Sequence, residues 1–280
     1  MWNVEAISDS FSLFRRIDAD RMARNDVVAA LVREMLEDFK AYGVSVNPSS
    51  RLVQYAALFD SSIIGTLSDE AHAHLDMALL EILQFKTIHR TLKRAADYPT
   101  LLTGIATAIG GNLDPSLDKA DCKARSTQFE LFVWSCLLAA GFATTFGEPD
   151  LLVRARSDRT LAVAVKRPRS QKKIFKNLRA GCHQIVRSRT DGFIAIDLSF
   201  VEYLSKPIYV SRAGHLEFLS KIVLDGFVSK NLEDIRRSVS APFVIGVLFF
   251  YSGVIRTIHD AARLVSRRWL FLPNREAAFD

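Results

Sequence analysis

One stretch restricts the architecture of this 280-residue chain more than any other: residues 160–198, where an alternating strand, a basic amphipathic helix and an apolar strand follow one another. In TLAVAVK (Thr160–Lys166), Leu161, Val163 and Val165 point one way and Ala162, Ala164 and Lys166 the other. Residues 171–189 carry Ile174, Leu178, Cys182 and Ile185 at helical spacing. Residues 192–198 (GFIAIDL) read as a central, buried strand. Upstream, residues 123–140 predict a helix closed by Gly141 as a C-cap. Two more β segments, 142–146 and 149–155, precede the alternating strand, with Ser157 and Asp158 in the tight connection. The order over 123–198 is therefore α-β-β-β-α-β, an α/β fold with a mixed sheet and helices on its faces. Residues 242–251 (PFVIGVLFFY) predict a further buried strand.

The first 120 residues have a different texture. Val28, Leu31, Val32, Met35 and Phe39 recur near a 3.6 period across residues 27–42. Ser68 is placed to cap a second helix with Asp69 and Glu70 in its first turn, ending near Pro99. The breaker cluster Gly110-Gly111-Asn112-Leu113-Asp114-Pro115 then suggests a boundary. We expect an all-helical domain over residues 1–120 and an α/β domain over residues 121–280. Hydrophobic residues at 49% and charged residues at 24% are enough to build such cores and exclude a disordered chain. The opening MWNVEAISDSFSLFRRID has early acids and no apolar core, unlike a secretory signal. The longest apolar runs, 131–146 and 242–255, fall short of the roughly 18 residues of a membrane span, so a cytoplasmic protein is expected. Cys122, Cys136 and Cys182 are odd in number and far apart, which indicates neither a disulfide framework nor a zinc site.

The net charge of +6 is unevenly spread, with acids in excess before residue 120 and bases in excess after it. Lys166, Arg167, Arg169, Lys172, Lys173, Lys176, Arg179, Arg187 and Arg189 occur within 24 positions that hold no acid. A positive field of that density attracts polyanions, of which a phosphate backbone is the commonest. We therefore assign nucleic-acid binding to Arg167, Arg169, Lys172, Lys173, Lys176 and Arg179.

Two carboxylates and a lysine stand out against apolar surroundings. Glu130 interrupts FELFVWSCLLAAG, where a carboxylate is rarely buried unless paired or bound to a metal. Asp150 follows Pro149 at the start of a strand, and Lys166 ends the alternating one. Phosphodiester hydrolysis needs such a set: carboxylates to hold Mg²⁺ or Mn²⁺, and a lysine to orient water or offset developing charge.

Glu130 on a helix, Pro149-Asp150, LAVAVKRPRS and a following helix containing HQI together resemble the PD-(D/E)xK nuclease superfamily, with its restriction-endonuclease-like αβββαβ core. The resemblance covers roughly residues 123–198 and, more weakly, 242–251. It implies a divalent-metal-dependent endonuclease, acting on DNA more than RNA; a defence or toxin setting is one role open to the helical domain that precedes it. It further implies that Asp150 is the central metal ligand, with Glu130 and the Val165 backbone carbonyl supporting the metal. Lys166 is then the catalytic lysine, and Gln184 a polar residue reaching the site from the next helix.

The motif is incomplete at Ala164, where the superfamily has Asp or Glu on the same strand face as the lysine. Two accounts stand: a degenerate fold that only binds nucleic acid, or a deliberate inactivating substitution of an acidic residue. Retention of Glu130, Asp150 and Lys166 favours the second, because a decaying site loses several groups. For the helical domain we expect regulation, dimerisation or target recognition through a protein partner. A protein scaffold using the basic run against an acidic partner is a third reading. His72 and His74 are two apart on a helix and do not face one another, so a metal pair there is not expected. No serine-hydrolase, P-loop or dinucleotide signature occurs.

Overall fold

The computed structural model describes residues 25–61, 68–92, 99–114, 123–154, 159–201, 208–210, 216–257 and 263–274. Among the described residues, four helices come first: α1 (Asn25–Ala41), α2 (Arg51–Ser61), α3 (Asp69–Leu92) and α4 (Pro99–Ala108). Then follow α5 (Lys123–Ala139), β1 (Ala143–Phe146), β2 (Leu151–Arg154), β3 (Thr160–Lys166), α6 (Gln171–Ser188) and β4 (Gly192–Asp197). The chain continues through β5 (Ile208–Val210), α7 (Leu216–Lys230), α8 (Leu232–Val239), β6 (Val244–Thr257) and β7 (Arg263–Pro273). The fold is thus mixed α/β, with helices leading into a seven-stranded sheet of order β1-β2-β3-β4-β6-β5 and β7 on the other side of β6.

Local chemistry fixes the ends of several of these elements. Ser68 Oγ accepts the Ala71 N–H at 3.2 Å, the expected cap of α3. Gly141, at φ +87°, turns the chain out of α5, and its N–H reaches the Leu138 carbonyl. β1–β2 and β2–β3 are antiparallel, whereas β3–β4 and β4–β6 are parallel. Parallel neighbours need a crossover, which α6 supplies between β3 and β4. A Cβ at Gly192 would lie 2.1 Å from the Ala162 carbonyl oxygen, so only glycine lets β4 begin this close to β3. The connection at Ser157 and Asp158, the region of Cys122 and the segment before Pro99 lie outside the described residues.

The alternation in β3 divides the sheet's two faces. Leu161 and Val163 join Phe129, Phe132 and Val133 of α5 in one core. Ala164 joins Ile174, Leu178, Cys182 and Ile185 of α6 in the other. The first core also contains Val32 and Phe39 of α1, Phe85 of α3 and Ile105 of α4. The early helices thus pack with α5 in the core on this face of the sheet. The strand expected at 242–251 runs on to Thr257, and β7, which the sequence reading omitted, pairs with it from Gly246↔Pro273 to Arg256↔Arg263. Among the described residues no helix is long and apolar enough to cross a membrane.

Candidate active site

Asp150 immediately precedes β2. The β2–β3 register pairs Leu151 with Val163, and one step further it sets Asp150 opposite Ala164. The Asp150 carboxylate turns along the end of β3: Oδ2 accepts the Val165 N–H at 2.7 Å and the Lys166 ammonium at 3.1 Å. Lys166 Nζ also donates to the Val165 carbonyl at 2.9 Å. One positive charge is thus held between a carboxylate and a backbone carbonyl, both hard oxygen donors of the kind a divalent cation takes. Glu130 approaches from α5. Burial and the nearby Asp150 charge push its carboxyl up to about 7, against the opposing pull of Lys166 and Lys123. Asp150 is also raised, by burial first, with Lys166 and the Val165 N–H pulling it back. An Asp150 charge that disfavours the ionisation of Glu130, beside a largely buried lysine, makes a site short of positive charge.

Ala164 is completely buried. Its methyl faces α6 at Gly181, where an added Cβ would come within 3.4 Å of it and 3.1 Å of the Ile194 side chain. Small residues at both positions let the helix lie close on the strand. Gln184 is one turn beyond Gly181 and one turn before Arg187, whose guanidinium is 3.7 Å from Glu148, two residues ahead of Asp150. Gln184 Oε1 is buried without a hydrogen-bond partner.

The exposed side of α6 carries Lys172, Lys173, Lys176 and Arg179, opposite its apolar stripe, and Arg169 is half-buried just before it. Arg167 corrects the expectation. Its side chain is 3% exposed and ion-paired with Asp197 at 3.2 Å and Glu81 at 3.6 Å, so it offers nothing to a phosphate backbone. Its Nη1 donates to the Arg125 carbonyl at 2.8 Å, and the guanidinium stacks 4.1 Å over the Phe200 ring.

Glu81 is the hub of a buried network that the sequence reading missed. Arg125 Nε reaches it at 2.7 Å, Arg51 Nη1 at 2.8 Å and the Tyr55 hydroxyl at 2.5 Å. Gln84 Nε2 extends the network to Asp197 at 3.3 Å. The clue was available: Glu81 interrupts the apolar run LLEILQF just as Glu130 interrupts its own. Elsewhere, Glu34 and Asp38 of α1 and His89 of α3 bring potential ligand atoms within 4.8 Å of one another, with His89 Nε2 2.7 Å from Asp38 Oδ2. This group is remote in sequence from Asp150 and was not anticipated. Comparison with known proteins adds no relative: no family model, curated protein or solved structure matches the chain.

Proposed function

We propose that the chain is built as a divalent-metal-dependent nuclease on a restriction-endonuclease-like core, its site one carboxylate short at Ala164. The observation that carries this reading is the meeting of Asp150 and Lys166 from neighbouring strands around the Val165 backbone, with the Glu130 charge in reach. The donor chemistry fits Mg²⁺ or Mn²⁺, since the oxygens of Asp150 and Val165 already gather about the Lys166 ammonium. Asp150, Glu130 and the Val165 carbonyl would hold the ion, which when bound supplies an acidified water and charge against the developing phosphorane. Lys166 places a donor at the same point, able to hold the attacking water or a phosphoryl oxygen. Gln184 offers an amide from the facing helix. Lys172, Lys173, Lys176 and Arg179 hold the phosphate backbone without reading sequence, with DNA the more expected substrate.

A non-catalytic nucleic-acid-binding module is the second reading. The apolar packing of Ala164 against Gly181 favours it, because a carboxylate placed there without a partner is strongly disfavoured.

A cleavage assay on DNA and RNA with Mg²⁺ or Mn²⁺ separates the two. The chain as it stands should bind nucleic acid and cut at most weakly, in Mn²⁺. Ala164→Glu should cut, and adding Asp150→Ala or Lys166→Ala should abolish the cutting. An Ala164→Glu protein that folds, binds metal and nucleic acid and cuts nothing would leave the binding-module reading standing.

A further inference from the structure

We infer that Glu34 and Asp38 of α1 and His89 of α3 form a binding site for a first-row transition dication of the Zn²⁺ class, independent of the nuclease reading. Glu34 and Asp38 are four positions apart, so they share one face of α1, and that face meets His89. One oxygen of each carboxylate and one imidazole nitrogen lie within 4.8 Å of one another. The hydrogen bond between His89 Nε2 and Asp38 Oδ2, at 2.7 Å, accounts for two of the three groups. It does not account for the third. Glu34 is exposed, yet it brings a second negative charge toward the same nitrogen, where it repels Asp38. A dication removes that repulsion and takes the place of the proton between His89 and Asp38. The two cations of α1 itself, Arg33 and Lys40, pair with Asp60 and Glu37.

The imidazole is already set for ligation. The His89 side chain is 5% exposed, and its ring meets Phe39 edge-on with centroids 5.8 Å apart, so little ordering remains to be done when a metal arrives. Asp38 is partly exposed and Glu34 lies on the open side, which leaves an entry path and a coordination position for water. Donor atoms around a four-coordinate Zn²⁺ lie about 3.3 Å apart, given bonds of roughly 2.0–2.1 Å. The 2.7 Å contact between Asp38 and His89 therefore widens by about 0.6 Å on binding, and the Glu34 carboxylate swings inward. The imidazole selects against Mg²⁺ and Ca²⁺, which take oxygen ligands. Bound there, the ion ties α1 to α3.

The test uses the full chain, without a polyhistidine tag and stripped by a chelator. It is titrated with Co²⁺, whose visible absorption reports an imidazole-containing site, and then with Zn²⁺, all in excess Mg²⁺ to occupy hard-oxygen sites. A single equivalent of Co²⁺ should bind with visible bands, and Zn²⁺ should displace it and raise the thermal midpoint. Glu34→Gln, at an exposed position, should weaken binding by roughly tenfold or more and remove the midpoint rise. Asp38→Asn, which keeps a hydrogen-bond partner for His89, should do the same, and His89→Gln should remove the bands. Asp150→Ala should change none of this. Bands lost in Asp150→Ala but kept in Glu34→Gln put the metal in the nuclease site and overturn this one. Undiminished binding in Glu34→Gln or in Asp38→Asn, or no saturable Co²⁺ band in the parent chain, overturns it as well.

Discussion

Glu81→Gln removes one charge from the middle of the molecule while keeping the side chain's shape. Glu81 is fully buried, and its two oxygens meet Arg51, Arg125 and Tyr55 within 2.8 Å. Burial alone would raise its pKa, yet the guanidiniums of Arg51, Arg125 and Arg167 outweigh it and draw the carboxyl from 4.5 to about 2. At ~1.4 kcal/mol per pKa unit, that fall corresponds to roughly 3 kcal/mol of stability. A second route gives the same size: taking one partner from a buried ion cluster strands the others, at about 3–5 kcal/mol. The sign follows from the depressed value. The contribution is fully present above the ordinary carboxylate range and is lost as pH falls from about 4.5 toward 2. Urea unfolding followed by tryptophan fluorescence should therefore show Glu81→Gln about 3–5 kcal/mol less stable at pH 7, with the gap narrowing at pH 3. A loss under about 1 kcal/mol at pH 7, or one that does not change with pH, would refute the reasoning.

Two further outcomes are expected. Replacing Lys172, Lys173 and Lys176 with alanine should weaken nucleic-acid affinity and flatten its salt dependence by roughly 0.9 per lost phosphate contact; unchanged affinity would move the binding surface off α6. Glu130 has its carboxyl raised to about 7, so charging it favours the unfolded chain, and stability should fall as pH rises from about 4.5 to 7. Glu130→Gln should remove that fall and gain about 1–2 kcal/mol at pH 8 in metal-free buffer, after allowing for solvent screening; a destabilised variant at pH 8 would count against this.

The sequence carried the order of elements over 123–198 because each one has a strong local signal. β3 alternates cleanly, α6 is amphipathic, and Gly141 and Gly192 sit where only glycine serves. β7 escaped because Arg263, Arg267 and Arg268 interrupt its apolar residues, and most of the strand is only partly buried. Its identity depends on pairing with β6, a contact that no local pattern reports. Arg167 was misplaced for a related reason. Charge density in sequence assigned it to the same surface as Lys172, but its partners Glu81 and Asp197 lie 86 and 30 positions away. The packing of α3 against α5 was equally hidden, since Glu81 and Arg125 each look like an isolated charge until the two helices meet.

The surroundings of Ala164 bear on which account of that alanine is the better one. The methyl itself is well packed, as a residue suited to an apolar layer should be. The polar groups gathered around the end of β3 are of another kind. Asp150 stands opposite it in register, and the Asp150 charge helps hold Glu130 near neutral pH. Gln184, one turn along α6 from Gly181, keeps a buried oxygen with no donor, at a typical penalty of about 1–3 kcal/mol. A site that had long served only for binding would gain stability by replacing each of these with apolar groups. Their joint presence fits a polar centre arranged about a cation and its ligands, with the alanine as the one member out of keeping. Lys166 partly fills that role, its ammonium drawn onto Asp150 and the Val165 carbonyl. An acidic side chain at 164 would supply the missing negative charge on the strand face that Lys166 shares, and that is why Ala164→Glu is expected to turn a binding surface into a cutting one.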